Sequence, residues 1–298
     1  YLKICIYDGK TTYISGTQYY NLGDCAKIPN YKLVDNIRIR GAVDVDALII
    51  KNNDLQSDSI NIIDPNINNE DVLVKKNGLQ ILEIDDADLS DGIIILSIKP
   101  QATNNVLEIL KNKVTSNTLI ISIIAGYSIS DIREYIGFEP KVIRVMPNTP
   151  AAVGEGMSVL FTKDKLTKQL ERVVEQLFNS IGRVYWIKDE PLMHIVTAIS
   201  GSGPAYYYYF TECLSKIATE NGLDEQFAEI LVKQTLLGSS SLMDYSHENT
   251  LSKLRKDVTS PGGTTEAALK VLMDDDKLYT LLSDAISDAI KKSKSLSQ

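Results

Sequence analysis

The 298-residue sequence has few of the residues that build metal and redox sites: 3 cysteines, 2 histidines and 1 tryptophan. The cysteines, Cys5, Cys25 and Cys213, are odd in number and lack any metal-binding or redox spacing. Secreted proteins usually pair their cysteines as disulfides, so these thiols favour a reducing cytosolic or organellar interior. We therefore predict no metal site and a cytoplasmic location.

Long apolar runs and clusters of positive charge are also missing. No apolar run approaches the roughly 18 residues of a membrane span, and the first residues lack the basic-then-apolar order of a signal peptide. Because the chain starts with Tyr1 rather than Met, we expect a trimmed or incomplete N-terminus. The net charge of -8 offers no basic surface for a phosphate backbone. Neither a membrane nor a nucleic acid is an expected partner.

The chain does contain ample apolar material, at 44% hydrophobic and 23% charged residues, which is enough for two domains with buried cores. Short apolar runs alternate with helical spacing in the first half. Strand, helix, strand at these lengths predicts a parallel, Rossmann-like α/β sheet. The predicted strands are 59–64, 92–101, 118–126 and 141–150, and the predicted crossover helices are 69–78 and 104–114.

The strand pattern weakens after Lys163, except at "GRVYWIK" (182–188). Long helical patterns cover 193–221, 225–245 and 264–294, which indicates a mostly α-helical second domain. Three segments are predicted: an N-terminal extension of unknown role, with turn signals that suit a hairpin, a dinucleotide-binding domain, and a helical substrate-binding and dimerisation domain. Their limits are 1–35, 36–163 and 164–298.

The most informative stretch is "VTSPGGTTEAALKVL" (258–272). Its Pro-Gly-Gly sequence allows a tight turn, and Thr264 and Thr265 stand at the start of the next helix, where hydroxyls are expected to cap free backbone donors. A helix N-terminus opened by glycines is a potential anion-binding site. An ordinary capped helix would have the same pattern.

Three further stretches contain rigid or glycine-rich turns. "TAISGSGPAYYYYF" (197–210) leads through small residues into a helix, while "RVMPNTPAAVGEG" (144–156) and "SIKPQ" (97–101) follow predicted strands. Ligands of open α/β sheets bind at the carboxyl ends of the strands. The last two turns are therefore expected at a ligand-binding edge.

Together, these four stretches resemble the pyrroline-5-carboxylate reductase family in motif, order and spacing. The resemblance covers about 37–295 and carries V-K-P-, V-M-P-N-T-P-, S-G-S-G-P-A-Y- and V-T-S-P-G-G-T-T-like segments. It implies reduction of the C=N bond of 1-pyrroline-5-carboxylate to proline by hydride transfer from NADH or NADPH. It also implies a homodimer with interlocked helical domains, or an assembly of such dimers.

The resemblance assigns roles to individual residues. Thr265 would hydrogen-bond the ring nitrogen, as the catalytic proton donor or its relay, and Glu212 matches a helix glutamate close to the substrate pocket. The substrate carboxylate would be bound by Ser260, Gly263 and Thr264. The nicotinamide end of the cofactor would contact Ser97, Ile98, Lys99, Met146 and Pro147.

A dinucleotide turn is also expected, about 20 residues before a polar residue that ends the second strand. Gly41 lies 23 residues before Asp64, whereas Gly9 lies too far upstream. This spacing predicts a first strand at 37–39, a turn at "GAVDV" with Gly41 and Ala42 near the cofactor, and a helix followed by the second strand. Asp64 without a following arginine favours NADH over NADPH.

The residues of this turn argue against tight dinucleotide binding. Val43 stands where a second glycine would let the backbone approach the pyrophosphate, and Asp44 or Asp46 would repel it. A weakened enzyme and a catalytically silent homologue that keeps the fold and the dimer are both compatible with this turn. A β-hydroxyacid dehydrogenase would need a catalytic lysine early on the helix after its glycine-rich segment, and Lys216 lies too far along it.

Overall fold

The computed structural model describes residues 2–5, 12–15, 47–50, 60–63, 80–98, 100–246 and 248–296. Contacts divide the chain into two compact units. Unit 1 comprises Tyr1–Gly201 and Ile290–Gln298, and unit 2 comprises Ser202–Ala289. This division falls later in the chain than the predicted limit at 163/164, and the functional roles of the three predicted segments stay a prediction.

Unit 1 is built on a mixed β-sheet. A separate antiparallel hairpin, β1 (Leu2–Cys5) and β2 (Thr12–Ser15), falls where the turn signals predicted one. The strands of the larger sheet are β3 (Ala47–Ile50), β4 (Ile60–Ile63), β5 (Gln80–Ile81), β6 (Gly92–Leu96), β7 (Thr118–Ser122), β8 (Lys141–Met146), β9 (Gly156–Phe161) and β10 (Gly182–Trp186). Among the described residues their order is β10-β9-β8-β7-β6-β3-β4-β5.

The centre of this sheet is parallel, as predicted. Strand β7 pairs in parallel with β6 and β8, and β4 pairs in parallel with β5. Strand β3 is antiparallel to both β4 and β6, so β4 and β6 run in the same direction. The carboxyl ends of β4, β6, β7 and β8 therefore meet at one edge, which is the ligand-binding edge of open α/β sheets.

Helices cover both faces of the sheet. Successive strand residues point to opposite faces, so an uninterrupted apolar strand has an apolar surface to bury on each side. On one face, Ile94 and Ile120 pack in a cluster with residues of α1 (Thr103–Leu110) and α2 (Ile129–Ile136). On the other face, Ile95 and Ile121 pack with α3 (Lys168–Asn179). Burial on both sides explains the nearly continuous apolar runs of these strands.

The region around the predicted dinucleotide turn differs from the sequence prediction. The residues after "GAVDV" were predicted to form a helix, but Ala47–Ile50 is strand β3, antiparallel between β4 and β6. A short apolar run such as "ALII" suits a buried strand as well as a helix, and sheet pairing decides between them. The second predicted strand is confirmed as β4. The predicted first strand at 37–39 and the turn itself lie outside the described residues.

The remaining helices follow β10. A short helix α4 (Met193–Val196) and a π-helical turn (Thr197–Gly201) end the first part of unit 1. The helices that follow are α5 (Gly203–Glu220), α6 (Glu225–Tyr245), α7 (Leu251–Asp257), α8 (Thr264–Met273) and α9 (Lys277–Ser295), whose last residues belong to unit 1. The predicted continuous helix 264–294 is wrong at Asp274–Asp276, where Asp275 and Asp276 have positive φ. None of the described helices is long and apolar enough to cross a membrane.

Candidate active site

Two turns at the carboxyl edge of the sheet carry residues predicted to contact the cofactor. Ser97 and Ile98 directly follow β6, while Met146 ends β8 and Pro147 follows it. Strands β6 and β8 are both neighbours of β7, so these turns share one edge. Ile98 and Met146 are buried there. Of the other predicted cofactor residues, Gly41, Ala42, Asp64 and Lys99 lie outside the described part of the chain.

The conformation of the turn after β8 is fixed by proline and glycine residues within it. Residues Thr149–Val153 form a 3₁₀ turn with proline in its first positions, and Gly154 ends it in the left-handed region at a φ of 79°. Proline fixes φ near the value that the turn needs, and glycine adopts positive φ without strain. The Pro-Asn-Thr-Pro motif is thus a rigid turn, as predicted.

The predicted substrate residues lie in unit 2, where a tight turn precedes α8. The Gly263 N–H donates to the Ser260 carbonyl over 3.0 Å, and Gly262 has a φ of 72°. The Gly262 N–H donates to Glu266 Oε2 over 2.7 Å. A Cβ atom on Gly263 would lie 3.0 Å from the Ser260 carbonyl oxygen, which explains why this position favours glycine.

The helix after this turn begins without a side-chain cap. Gly263 is the N-cap residue and makes no side-chain hydrogen bond, whereas Thr264 and Thr265 occupy the first helical positions. The expectation that the threonine hydroxyls cap the helix is therefore wrong. The first backbone N–H groups of a helix have no intrahelical acceptor and attract anions. The turn thus leaves the first N–H groups of α8 and two threonine hydroxyls at an exposed helix start.

Glu212 lies exposed on α5, in the same unit. It stands next to Cys213, whose hydrogen bond, followed by the charges of Cys213 and Glu212, raises the pKa of Tyr209. These contacts are made along one helix. The proximity of Glu212 to a bound substrate stays a prediction.

Sequence reasoning missed a buried ionic network on the sheet. Glu190 is buried, and its Oε1 accepts from the backbone N–H of Ile129 at 2.8 Å and from Arg144 Nη1 at 3.3 Å. Its Oε2 lies 3.2 Å from Lys163 Nζ. Glu190 thereby holds the start of α2 against β8. An arginine among the buried apolar residues of β8 indicates that a buried counter-charge is needed, but the sequence does not identify the residue that provides it.

Burial lowers the pKa of two basic side chains here, Arg144 and His194. Desolvation lowers the pKa of Arg144, and the Glu190 charge opposes that shift. Desolvation also lowers the pKa of His194, and the charge of Arg144 adds to the effect. His194 Nδ1 lies 3.0 Å from the hydroxyl of buried Ser293. Among the described residues, no group of three or more His, Cys, Asp or Glu side chains could hold a metal ion.

A cleft of about 540 Å³ lies beside the network. Its lining residues are Ser128, Asp131, Arg144, Phe161, Lys163, Lys188, Asp189, Glu190, Pro191 and His194. Within it, Glu190 is paired with both Arg144 and Lys163. None of the predicted substrate or cofactor residues that the structure describes lines this cleft.

Comparison with known proteins agrees with the motifs. Residues 190–296 match the pyrroline-5-carboxylate reductase dimerisation family. A pyrroline-5-carboxylate reductase of Pasteurella multocida is 34% identical over 245 residues, which is 80% of this chain and 88% of the relative. The chain belongs to the pyrroline-5-carboxylate reductase family. The predicted resemblance to this family is thereby confirmed.

Solved reductases of the family also have this fold. One from Coxiella burnetii matches with a TM-score of 0.72 and 32% identity, over 80% of this chain and 88% of that one. The Plasmodium falciparum enzyme with NADP bound matches with a TM-score of 0.70 and 32% identity, over 81% and 88%. The predicted fold class, a Rossmann-like sheet domain followed by a helical dimerisation domain, is confirmed.

Proposed function

We propose that this protein reduces 1-pyrroline-5-carboxylate to proline with NADH or NADPH, which is the last step of proline biosynthesis. The observation that carries the proposal is the turn at 258–265, whose geometry exposes the first N–H groups of α8 beside two threonine hydroxyls. A small ring that carries a carboxylate and an imine nitrogen needs such a combination of donors. Membership of the reductase family supports the same substrate.

The roles of the substrate residues follow from this turn. Ser260 and Thr264 bind the carboxylate through hydroxyl and backbone N–H groups. Gly263, whose own N–H is donated to the Ser260 carbonyl, contributes to this site by shaping the turn. Thr265 donates a hydrogen bond to the ring nitrogen, which receives a proton as the imine carbon receives a hydride. A threonine hydroxyl is a poor acid, so its main contribution is orientation. Glu212 lies near the ring in this proposal.

The nicotinamide half of the cofactor suits the described carboxyl edge, where Ser97 and Ile98 follow β6 and where Met146 and Pro147 stand at the end of β8. Lys99 is assigned to the same half by its position in the sequence. When bound, NADH or NADPH supplies the hydride. Gly41 and Ala42 would face the pyrophosphate and Asp64 the ribose, by position in the sequence. A nicotinamide dinucleotide is the cofactor of the family, as the NADP-bound Plasmodium enzyme illustrates.

The structure is less suited to binding the pyrophosphate half of the cofactor. In dinucleotide-binding sheets, a helix that starts after the central strand binds the pyrophosphate. Here β3 occupies the place between β4 and β6, and it runs in the opposite direction. Its residue Ala47 pairs with Ile63, so the amino end of β3 reaches the ligand edge. Strand β3 therefore cannot lead into a pyrophosphate-binding helix at that edge.

The protein forms a homodimer through its helical unit, in line with its match to the dimerisation family. Large apolar side chains are exposed on α5 and α6, among them Tyr207, Tyr208, Phe227 and Ile230. A second copy that covers them would remove this surface from water. We place the enzyme in the cytoplasm because its cysteines have no disulfide or metal spacing.

The decisive experiment adds pyrroline-5-carboxylate to the purified protein with NADH and follows the loss of NADH absorbance. We expect NADH oxidation and stoichiometric proline. A folded dimer that oxidises neither NADH nor NADPH, at any concentration of cofactor or imino acid, would instead support the silent homologue.

Cofactor use gives a second prediction. Because β3 does not lead into a pyrophosphate-binding helix at the ligand edge, and because Asp64 is assigned to the ribose, we expect a KM for NADH of about 1 mM, the upper end of the usual range. We also expect a lower kcat/KM with NADPH, because a carboxylate repels the 2′-phosphate. Steady-state kinetics with both cofactors measure this. A micromolar KM, or a preference for NADPH, would contradict the prediction.

A further inference from the structure

We propose that Asn148 is a positioning residue, which fixes the Met146–Pro147 turn against the π-helical turn Thr197–Gly201 and so sets the affinity for the nicotinamide. The inference rests on the proposed function, which assigns Met146 and Pro147 to the cofactor. All of the residues involved lie in unit 1.

Asn148 uses both ends of its amide. Its Nδ2 donates to the carbonyl oxygen and to the hydroxyl of Ser200, at 3.3 Å each. Its Oδ1 accepts from the backbone N–H of Met157 over 2.9 Å. An amide carries a donor and an acceptor on one short side chain, whereas a carboxylate only accepts. These contacts therefore require an amide side chain, because a carboxylate of the same size cannot donate to Ser200.

These hydrogen bonds are not the ones that the local sequence favours. Asn148 is the N-cap residue of the 3₁₀ turn Thr149–Val153, and an asparagine in this place usually accepts from its own helix. Here it makes no side-chain cap bond. The side chain instead joins the Met146–Pro147 turn to Met157 on β9 and to Ser200, which lies 52 positions away in the sequence.

The partner segment has an uncommon conformation. Thr197–Gly201 is a π-helical turn, a geometry that is rare and often found at functional sites. Asn148 binds the carbonyl of Ser200 near the end of this turn. A donor at this position stabilises the π turn in a single arrangement.

The same two segments lie close together at Gly201. A Cβ atom on Gly201 would lie 3.4 Å from Met146 Sδ, the lower limit of an ordinary van der Waals distance, so the π turn approaches the Met146 side chain to within the space of a methyl group. Met146 is only 6% exposed. The hydrogen bonds of Asn148 therefore act on a turn whose Met146 side chain is buried close to the π turn.

The test uses Asn148→Asp, alone and combined with Ser200→Ala. The carboxylate introduced by Asn148→Asp still accepts from the Met157 N–H, but it has no donor for the Ser200 carbonyl. The double variant also removes the Ser200 hydroxyl, which could otherwise rotate and donate to that carboxylate. At mildly alkaline pH we expect the KM for NADH to rise about tenfold in the single variant, equivalent to roughly 1.4 kcal/mol, and further in the double. The KM for the imino acid should stay within about twofold.

Protonation supplies a readout that a merely structural role would not give. When the carboxylate introduced by Asn148→Asp takes up a proton, it regains an O–H donor, so the NADH KM of the variant should approach the wild-type value as the pH falls. Ser200→Ala alone keeps the backbone acceptor and should change little. Asn221→Asp is the matched control, because Asn221 Nδ2 also donates to a carbonyl, that of Ile217 at 2.8 Å, but in an exposed place in unit 2.

Two outcomes would overturn the inference: wild-type NADH kinetics in Asn148→Asp at every pH, or a loss in that variant that is independent of pH. Failure of the proposed function is distinguishable, because the wild-type protein itself would then not oxidise NADH. In that case, titration of NADH fluorescence with the same variants still measures the cofactor affinity, and the same tenfold difference is expected.

Discussion

Replacement of Thr265 by valine is expected to lower kcat for pyrroline-5-carboxylate reduction about 100-fold. Valine keeps the shape of threonine but removes the hydroxyl that we assign to the ring nitrogen. Loss of one positioned donor to a group that gains charge in the transition state typically costs about 100- to 1,000-fold. Because the carboxylate contacts remain, the KM for the imino acid should change less than about threefold. Steady-state kinetics at saturating NADH measure both constants.

Two matched variants distinguish this role from general damage to the turn. Thr265→Ser keeps a hydroxyl and should retain at least about a tenth of the wild-type kcat. Thr264→Val, one residue earlier on α8, should mainly raise the KM, because Thr264 is assigned to the carboxylate. A Thr265→Val enzyme with a kcat within about threefold of wild type would show that the ring nitrogen does not need a hydrogen bond from the Thr265 hydroxyl.

The parallel part of the sheet could be predicted because its continuous apolar runs are typical of strands that are buried on both faces. Strands β6, β7 and β8 are buried on both faces, and their apolar runs reflect this directly. Strand β3 was not predictable in the same way, because its four apolar residues suit a helix or a strand and only pairing with β4 and β6 settles the matter. Propensity is a weak guide where tertiary contacts decide.

The candidate site shows a similar contrast. Glycine and proline predicted the turns after β8 and before α8, because these residues limit the backbone locally. The tie from Asn148 to Ser200 joins residues 52 positions apart, and the pairing of Arg144 with Glu190 joins residues 46 apart. Motif spacing contains no information on such side-chain contacts. They appear only when the sheet and the following helix are placed in space.

Removal of the Glu190 carboxylate is expected to lower the free energy of unfolding more than removal of the Lys253 ammonium group. The ion pair of Lys253 is shorter than that of Glu190 with Arg144, but it is exposed to water. Glu190→Ala leaves Arg144, 2% exposed, without its counter-charge and leaves the Ile129 N–H without its acceptor. An uncompensated buried charge of this kind costs about 3–5 kcal/mol. Urea unfolding at fixed protein concentration measures the loss. Trp186 fluorescence is a suitable probe, since the chain's 1 tryptophan lies on β10 in unit 1.

Lys253→Ala provides the control, because Lys253 lies 2.6 Å from Asp257 with both side chains at least 50% exposed. Water solvates either charge there, so we expect a change below about 0.5 kcal/mol. The double variant Arg144→Met with Glu190→Gln removes both charges and should recover most of the stability lost in Glu190→Ala, since a buried ion pair adds little over an apolar pair. Equal losses in Glu190→Ala and Lys253→Ala would mean that water reaches Arg144. A double variant as unstable as Glu190→Ala would contradict the assignment of the loss to an unpaired Arg144 charge, because the amide oxygen introduced by Glu190→Gln can still accept from the Ile129 N–H.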